Sequence, residues 1–316
     1  MTAFILRRLL LTVPVVVLLS VIIFIVLYVM PGDVALAVLG QFASPAELAA
    51  LREKLGLDRP PVVQYLSWAG HALRGDFGTS LFYGSGVPVA ETIVQRLPVS
   101  VQLGLSAIVF GIVLGLPLGV IAALRRNSLI DLGVTSFAVS GLAMPSFWMA
   151  ILLILLFAVK LHWLPPSGYV PFAEDPIRNL RHMALPAFVL GVDIAAVVAR
   201  LVRSEMLEVL GQDYVRTARS KGLRDPTVIV RHVLRNALIP VVTLLGLLGG
   251  RLVAGSVIVE TIFALPGVGQ LTVNSLFNRD LPMVQGTLFL ITMGVVFGNL
   301  LVDVAYGYLD PRIRHA

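Results

Sequence analysis

The chain has 316 residues, 57% of them hydrophobic and 13% charged, where a soluble domain carries roughly 25% charged residues. Its mean hydropathy of +0.91 means more apolar surface than one soluble core can hide, which excludes a water-soluble enzyme and a disordered chain, and zero cysteines exclude a disulfide scaffold. Lys and Arg outnumber Asp and Glu by 24 to 18, a formal charge of +6, and in so apolar a chain that excess points to basic cytoplasmic loops rather than to nucleic acid.

A helix needs about 20 predominantly apolar residues to span a bilayer. Taken in chain order, six stretches meet that need. Leu9–Met30, Leu97–Leu124, Leu132–Val159 and Leu281–Val302 carry no charge, whereas Met183–Ala199 carries Asp193 and Asn236–Val259 carries Arg251. The first stretch follows Arg7 and Arg8 as a signal peptide would. Its apolar run is too long for an h-region and no A-x-A site follows, so it reads as a retained first helix.

Basic residues set the expected orientation. With the N-terminus inside, Arg7 and Arg8, Arg125 and Arg126, the segment Arg200–Arg235 and the C-terminal tail face the cytoplasm, and these pieces hold 14 of the 24 Lys and Arg residues. The expectation is an all-α integral membrane protein with six transmembrane helices, N-in and C-in. Residues 1–30 form the N-terminus and first helix, 31–96 an extracytoplasmic cap, 97–306 the core and 307–316 a cytoplasmic tail. Within the core, helices are expected near 97–124, 132–159, 183–203, 236–260 and 281–306, with a cytoplasmic loop at 204–235.

The cap has its own order. Ser44-Pro45-Ala46-Glu47 reads as a capping box with Pro at the first helical position, and Gly56 is placed to end that helix. A second helix follows Pro61, with Tyr65, Leu66, Ala69 and Leu73 at helical spacing. In the core, Gly111, Gly115 and Gly119 repeat a small-xxx-small spacing that lets helices approach closely. Packing and a hinge both explain such glycines and the prolines Pro14, Pro117, Pro145, Pro186, Pro240 and Pro282.

The cytoplasmic loop carries the chemistry. Residues 213–222 read Asp213, Tyr214, Val215, Arg216, Thr217, Ala218, Arg219, Ser220, Lys221 and Gly222. Asp213 suits an N-cap, Gly222 a left-handed stop, and Arg219 and Lys221 the negative end of the dipole. Asp225-Pro226 then starts another helix. A two-turn helix is marginal alone and needs a surface to dock against. That surface is either the anionic headgroup layer or a groove in a protein, which would take Tyr214 and Val215 as apolar anchors around Ala218. The sharp stops at both ends favour the groove.

These residues resemble the EAA loop of type I ABC importer permeases. The family's E-A-A triplet aligns with Arg216-Thr217-Ala218, its glycine with Gly222, and its downstream I-x-L-P with Ala237-Leu238-Ile239-Pro240. Arg216 stands where the family has an acid. The run Arg216 to Leu223 is similar to the R-T-A-R-x-K-G-L form of the dipeptide, oligopeptide and nickel branch. Pro31-Gly32-Asp33, Leu55-Gly56-Leu57-Asp58, Gly75-Asp76-Phe77-Gly78, Leu164 to Tyr169, Val259-Glu260-Thr261, Pro266-Gly267-Val268-Gly269 and Asp303 through Asp310 to Arg314 also resemble first permease subunits of dipeptide transporters.

The resemblance implies a permease subunit of an ATP-binding cassette importer that forms half of a path for peptides or peptide-like solutes. It implies a coupling helix at Asp213–Gly222 and three kinds of partner: a sister permease, two ABC ATPase subunits and an extracytoplasmic solute-binding protein. It also implies a multi-pass protein of a bacterial or archaeal plasma membrane. The chain's three lysines, Lys54, Lys160 and Lys221, do not follow glycine, so it has no P-loop and hydrolysis is expected on a partner. The five histidines are scattered without ligand spacing. No catalytic residue, metal, cofactor or nucleic-acid partner is nominated.

A charge at the bilayer centre costs roughly 2.5–3.5 kcal/mol on insertion scales, so Asp193 and Arg251 are candidate path residues, either paired or each facing a polar interior. Glu260, nearer the outer end, is a third. A nickel-complex permease of the same branch and an ion-coupled secondary transporter are the alternatives; the latter expects inverted repeats that are not evident here.

Overall fold

A computed structural model describes residues 2–29, 33–40, 42–82, 86–255 and 257–309. Among them the elements run in the order α1 (Thr2–Val29), α2 (Val34–Leu39), α3 (Pro45–Leu55), α4 (Pro61–Ala72), α5 (Val89–Leu124), α6 (Leu129–Ala143), α7 (Ser146–Leu153), α8 (Pro176–Leu210), α9 (Asp213–Ser220), α10 (Asp225–Thr227), α11 (Arg235–Gly255), α12 (Val257–Ile262), α13 (Val268–Phe277) and α14 (Leu281–Leu309). Wider π-helical turns continue α7 over Ile154–Lys160 and join α10 to α11 over Val228–Leu234. Pro31, Gly32, residues 310–314 and the side chain of Arg251 lie outside the described residues.

Five described helices are long and apolar enough to cross a membrane: Arg7–Val29, Val89–Leu124, Pro176–Leu210, Asp225–Leu245 and Leu281–Leu300. The span expected at 132–159 is not one straight helix. Its halves meet at 105°, and counting the bent pair as a span gives six. Pro145 causes the break, because a residue preceding proline is pushed out of the helical region, and Met144 is extended at φ −87° and ψ 119°. Helices α5 and α8 outrun their expected limits, starting at Val89 and ending at Leu210. At 1.5 Å per residue each is about 50 Å long, more than the roughly 30 Å of hydrocarbon. Helix α13 has no counterpart in the sequence reading.

The chain divides into two units, Met1–Ser100 with Pro266–Ala316, and Val101–Leu265. In the first, α1 packs on α14 and α4, and α13 packs on α14. A run of aromatic contacts links them: Phe24 to Tyr65 at 5.6 Å, Trp68 to Phe289 at 5.8 Å and Phe77 to Phe289 at 5.9 Å. The Ser20 and Tyr65 hydroxyls lie 2.9 Å apart. Val89, Ile93, Leu271 and Met283 form a buried cluster. Gly286 permits that approach, since a Cβ there would stand 2.6 Å from Val89.

The cap begins as its sequence dictates. Ser44 and Glu47 close the capping box and Gly56 ends α3 in the left-handed conformation. Asp33 caps α2 by accepting from Ala35 N–H and also pairs with Arg52. The Arg52 guanidinium holds the Asp33 carboxyl below the usual carboxylate range. Asp280, fully buried, anchors the loop that precedes α5. Ser80 Oγ donates to its Oδ2 at 2.5 Å and Leu81 N–H to its Oδ1 at 3.2 Å.

In the second unit α8 is the central element. Gly111, Gly115 and Gly119 of α5 face it, and a Cβ on each would stand 2.4 to 2.6 Å from Ile194, Ala195 O and Ala199 O. This close approach makes the glycine stripe a packing surface. On another side α8 meets α6, where Arg203 binds Asp131 through Nε at 2.5 Å and Nη2 at 2.8 Å. Asp131 also accepts from Asn127 N–H at 2.9 Å. Toward the start of α8, buried Asn179 donates to Val170 O at 2.7 Å and hydrogen-bonds Gln102, which accepts from the Tyr169 hydroxyl at 3.2 Å.

Candidate functional site

Helix α9 forms between two bends. Helix α8 stops at Gly211, and α9 starts at Asp213 with Gln212 as its N-cap and no side-chain cap bond. Asp213 is therefore the first helical residue rather than the cap, and its charge still favours the positive end of the dipole. The same one-residue shift recurs at α10, where Arg224 is the N-cap and Asp225 the first residue. The other end is a Schellman turn. Leu223 N–H reaches Ala218 O at 3.4 Å and Gly222 N–H reaches Arg219 O at 2.9 Å. Gly222 has φ +78° with open space around it, so conformation rather than room requires glycine.

The face that α9 offers differs from the expected one. Val215 is fully buried and Ala218 nearly so, on the side where α9 packs against Val228–Leu234. Their i, i+3 spacing makes them one stripe, and that stripe fastens the helix to its own chain. Val215 is thus not an anchor for a groove. The outward face consists of Asp213, Tyr214, Arg216, Thr217, Arg219 and Ser220, with the Arg216 side chain 76% exposed. Arg219 Nε lies 3.1 Å from Asp225 Oδ1, an exposed pair across the turn. Asn236 Nδ2 donates to the Tyr214 hydroxyl at 2.9 Å and to His232 O at 3.0 Å, which ties α9 to the base of α11. Lys221 follows the helix as its C-cap.

Asp193 sits on α8, partly buried, among buried Val192, Ile194, Ala195 and Ala196. Glu260, on α12, is fully buried and offers nothing to an outer surface in this conformation. Arg251, the third path candidate, lies on α11 with its side chain outside the described residues.

Three comparisons bear on this arrangement. Residues 115–315 match the family described as binding-protein-dependent transport system inner membrane component, and residues 1–104 match its N-terminal companion. The chain belongs to this family. It is a type I ABC importer permease and a multi-pass protein of the bacterial inner membrane, which removes the ion-coupled alternative. It is 44% identical over 315 residues to a putative peptide transport system permease protein of Brucella abortus, with 100% of each chain covered. It is 40% identical over 317 residues to the oligopeptide transport system permease protein AppB of Bacillus subtilis, again with 100% of each covered. It is 41% identical over 339 residues to the dipeptide transport system permease protein DppB of Escherichia coli, covering 100% of this chain and 99% of that one. Two solved structures share the fold. An amino acid ABC transporter gives a TM-score of 0.51 at 16% identity, over 68% of this chain and 92% of that chain. The MetNI methionine ABC transporter, in an inward-facing form, gives 0.50 at 18% identity, over 68% and 96%.

Sequence reasoning missed three polar features of the permease. Asp131 and the buried Asp280 lie at helix starts and Arg203 two turns inside α8, positions that composition does not mark. Arg231 and Arg235 form the third, and their i, i+4 spacing beside an apolar run was the available signal. As a family of transport permeases, these chains are not the catalytic subunits of their systems.

Proposed function

We propose that the permease forms half of a translocation path for peptides or peptide-like solutes, beside a sister permease subunit. An extracytoplasmic binding protein delivers the solute, and two cassette ATPases bind and hydrolyse ATP. Helix α9 couples them to the bundle through Asp213, Tyr214, Arg216, Thr217, Arg219 and Ser220. Residues 31–96 face outward and the α8–α11 connection faces the cytoplasm, in keeping with the distribution of Lys and Arg. Asp193 lines the path, with Arg251 as its partner.

The observation that carries the peptide reading is 40–44% identity over the whole length to relatives named as peptide, oligopeptide and dipeptide permeases. Support for coupling comes from the geometry of α9, a short helix stopped at both ends and fastened by Val215 and Ala218 so that its polar face stays free. The test is uptake by the purified complex in vesicles, driven by internal ATP with the binding protein outside. Labelled dipeptide should accumulate and unlabelled di- and tripeptides should compete. ATP-dependent uptake of another solute that no peptide inhibits would overturn the peptide assignment.

A further inference from the structure

Beside α9 lies a second feature, which shares only Tyr214 with the coupling face. Tyr214, Arg231, His232, Arg235, Asn236 and Ile239 line a groove of about 600 Å³. No acid lines it. Among the described residues, neither Arg231 nor Arg235 has a carboxylate partner. Two exposed guanidinium groups thus share one mouth, with the Tyr214 hydroxyl and the Asn236 amide as a polar wall.

The lining changes character along the helix. Ile239 and, one turn further, Val242 are more than half exposed. This stretch belongs to Asp225–Leu245, which is apolar and long enough to cross a membrane. Arg231 and Arg235 come just before the charge-free run that starts at Asn236, which suits cations at the depth of the headgroups, and the exposed aliphatic side chains continue toward the acyl region. A guanidinium pair without counter-ion favours a phosphate, and uncovered Ile239 and Val242 favour hydrocarbon. An acidic loop of a soluble ATPase would satisfy the arginines and leave the aliphatic part of the stripe uncovered.

We propose that this groove binds an anionic phospholipid of the inner leaflet, its phosphate between Arg231 and Arg235 and an acyl chain along Ile239 and Val242. The bound lipid then steadies α9 through Tyr214. That last step rests on the coupling reading of α9, whereas lipid binding does not.

The test uses the complete purified importer in nanodiscs of phosphatidylcholine with a minor share of phosphatidylglycerol. Native mass spectrometry of the released complex should show phosphatidylglycerol retained in preference to phosphatidylcholine. The double variant Arg231→Gln, Arg235→Gln should lower that preference about thirty-fold, as two headgroup-facing cations imply. A photo-crosslinking residue at Ile239 should label lipid. Equal retention of the two lipids by the unaltered protein, or a preference unchanged in the double variant, overturns the site; crosslinks to the ATPase in place of lipid make the occupant protein. Phosphatidylglycerol should also raise ATP hydrolysis stimulated by the loaded binding protein in the unaltered complex and not in the variant. Selective retention without that rise supports the lipid site and overturns its link to α9.

Discussion

Arg203 grips Asp131 with two nitrogens of its guanidinium, at 2.5 and 2.8 Å, and so clamps the start of α6 to α8. The aspartate side chain is only 6% exposed. Removing the cation strands a buried carboxylate, which costs more than the pair itself contributes. Arg203→Ala should therefore destabilise by about 3 kcal/mol, read as a melting temperature lowered by several degrees in detergent. Asp131→Asn with Arg203→Gln should cost less than Arg203→Ala alone. Equal losses in both would argue against the clamp.

Two glycines predict opposite outcomes for the same change. At Gly115 a Cβ would stand 2.6 Å from Ala195 O, a backbone atom that moves only with its helix, whereas nothing lies within 4 Å of the position at Gly133. Gly115→Ala should lower the melting temperature by an amount equivalent to about 1–3 kcal/mol. Gly133→Ala, in the exposed middle of α6, should be neutral or stabilising by up to about 1 kcal/mol.

The coupling role proposed for α9 is best probed on its outward face. Arg216→Glu reverses a charge on a side chain that is 76% exposed, so the folded permease should persist. Binding-protein-stimulated ATP hydrolysis should fall at least about ten-fold, the loss of 1.4 kcal/mol or more that one interfacial charge reversal brings. Ala218→Arg is a poorer probe, because Ala218 is buried against its own chain and the larger side chain would dislodge the helix.

Gly222→Ala tests the stop. With φ at +78° the substitution meets no atom and still pays about 1 kcal/mol for the left-handed backbone. The helix terminus should fray, and uptake should decline while assembly of the complex is retained, as measured by co-purification of the ATPase.

A pH dependence belongs to the cap. Arg52 lowers the carboxyl pKa of Asp33, so the contact between α2 and α3 is complete above the unfolded carboxylate value of about 4. It should be lost as pH falls further, through the folded value. Limited proteolysis of α3 should accelerate over that range, and in Asp33→Asn the acceleration should be absent.

Apolar length announced the membrane fold, since runs such as Leu281–Val302 contain no charge. Ser44 with Glu47, and Gly56 and Gly222, were legible because caps and left-handed stops depend on single residues acting locally. What escaped depends on distance in sequence. Pro145 was noted, yet a proline in an apolar run is compatible with a mild kink or with the 105° bend observed. The burial of Val215 and Ala218 could not be read from α9 alone, because the surface that covers them lies at Val228–Leu234. Asp131 and Arg203 stand 72 positions apart, beyond any local pattern.

Helix α8 has one more consequence. Between Asp193 and Leu210 it contains neither proline nor glycine, so about 25 Å of backbone separates the acid from the bend at Gly211 with no joint to absorb a displacement. A push delivered to α9 and passed on at its near end travels that distance undiminished, as along a lever arm. The half-buried aspartate would register the stroke of the ATPase as a shift or tilt of its whole helix.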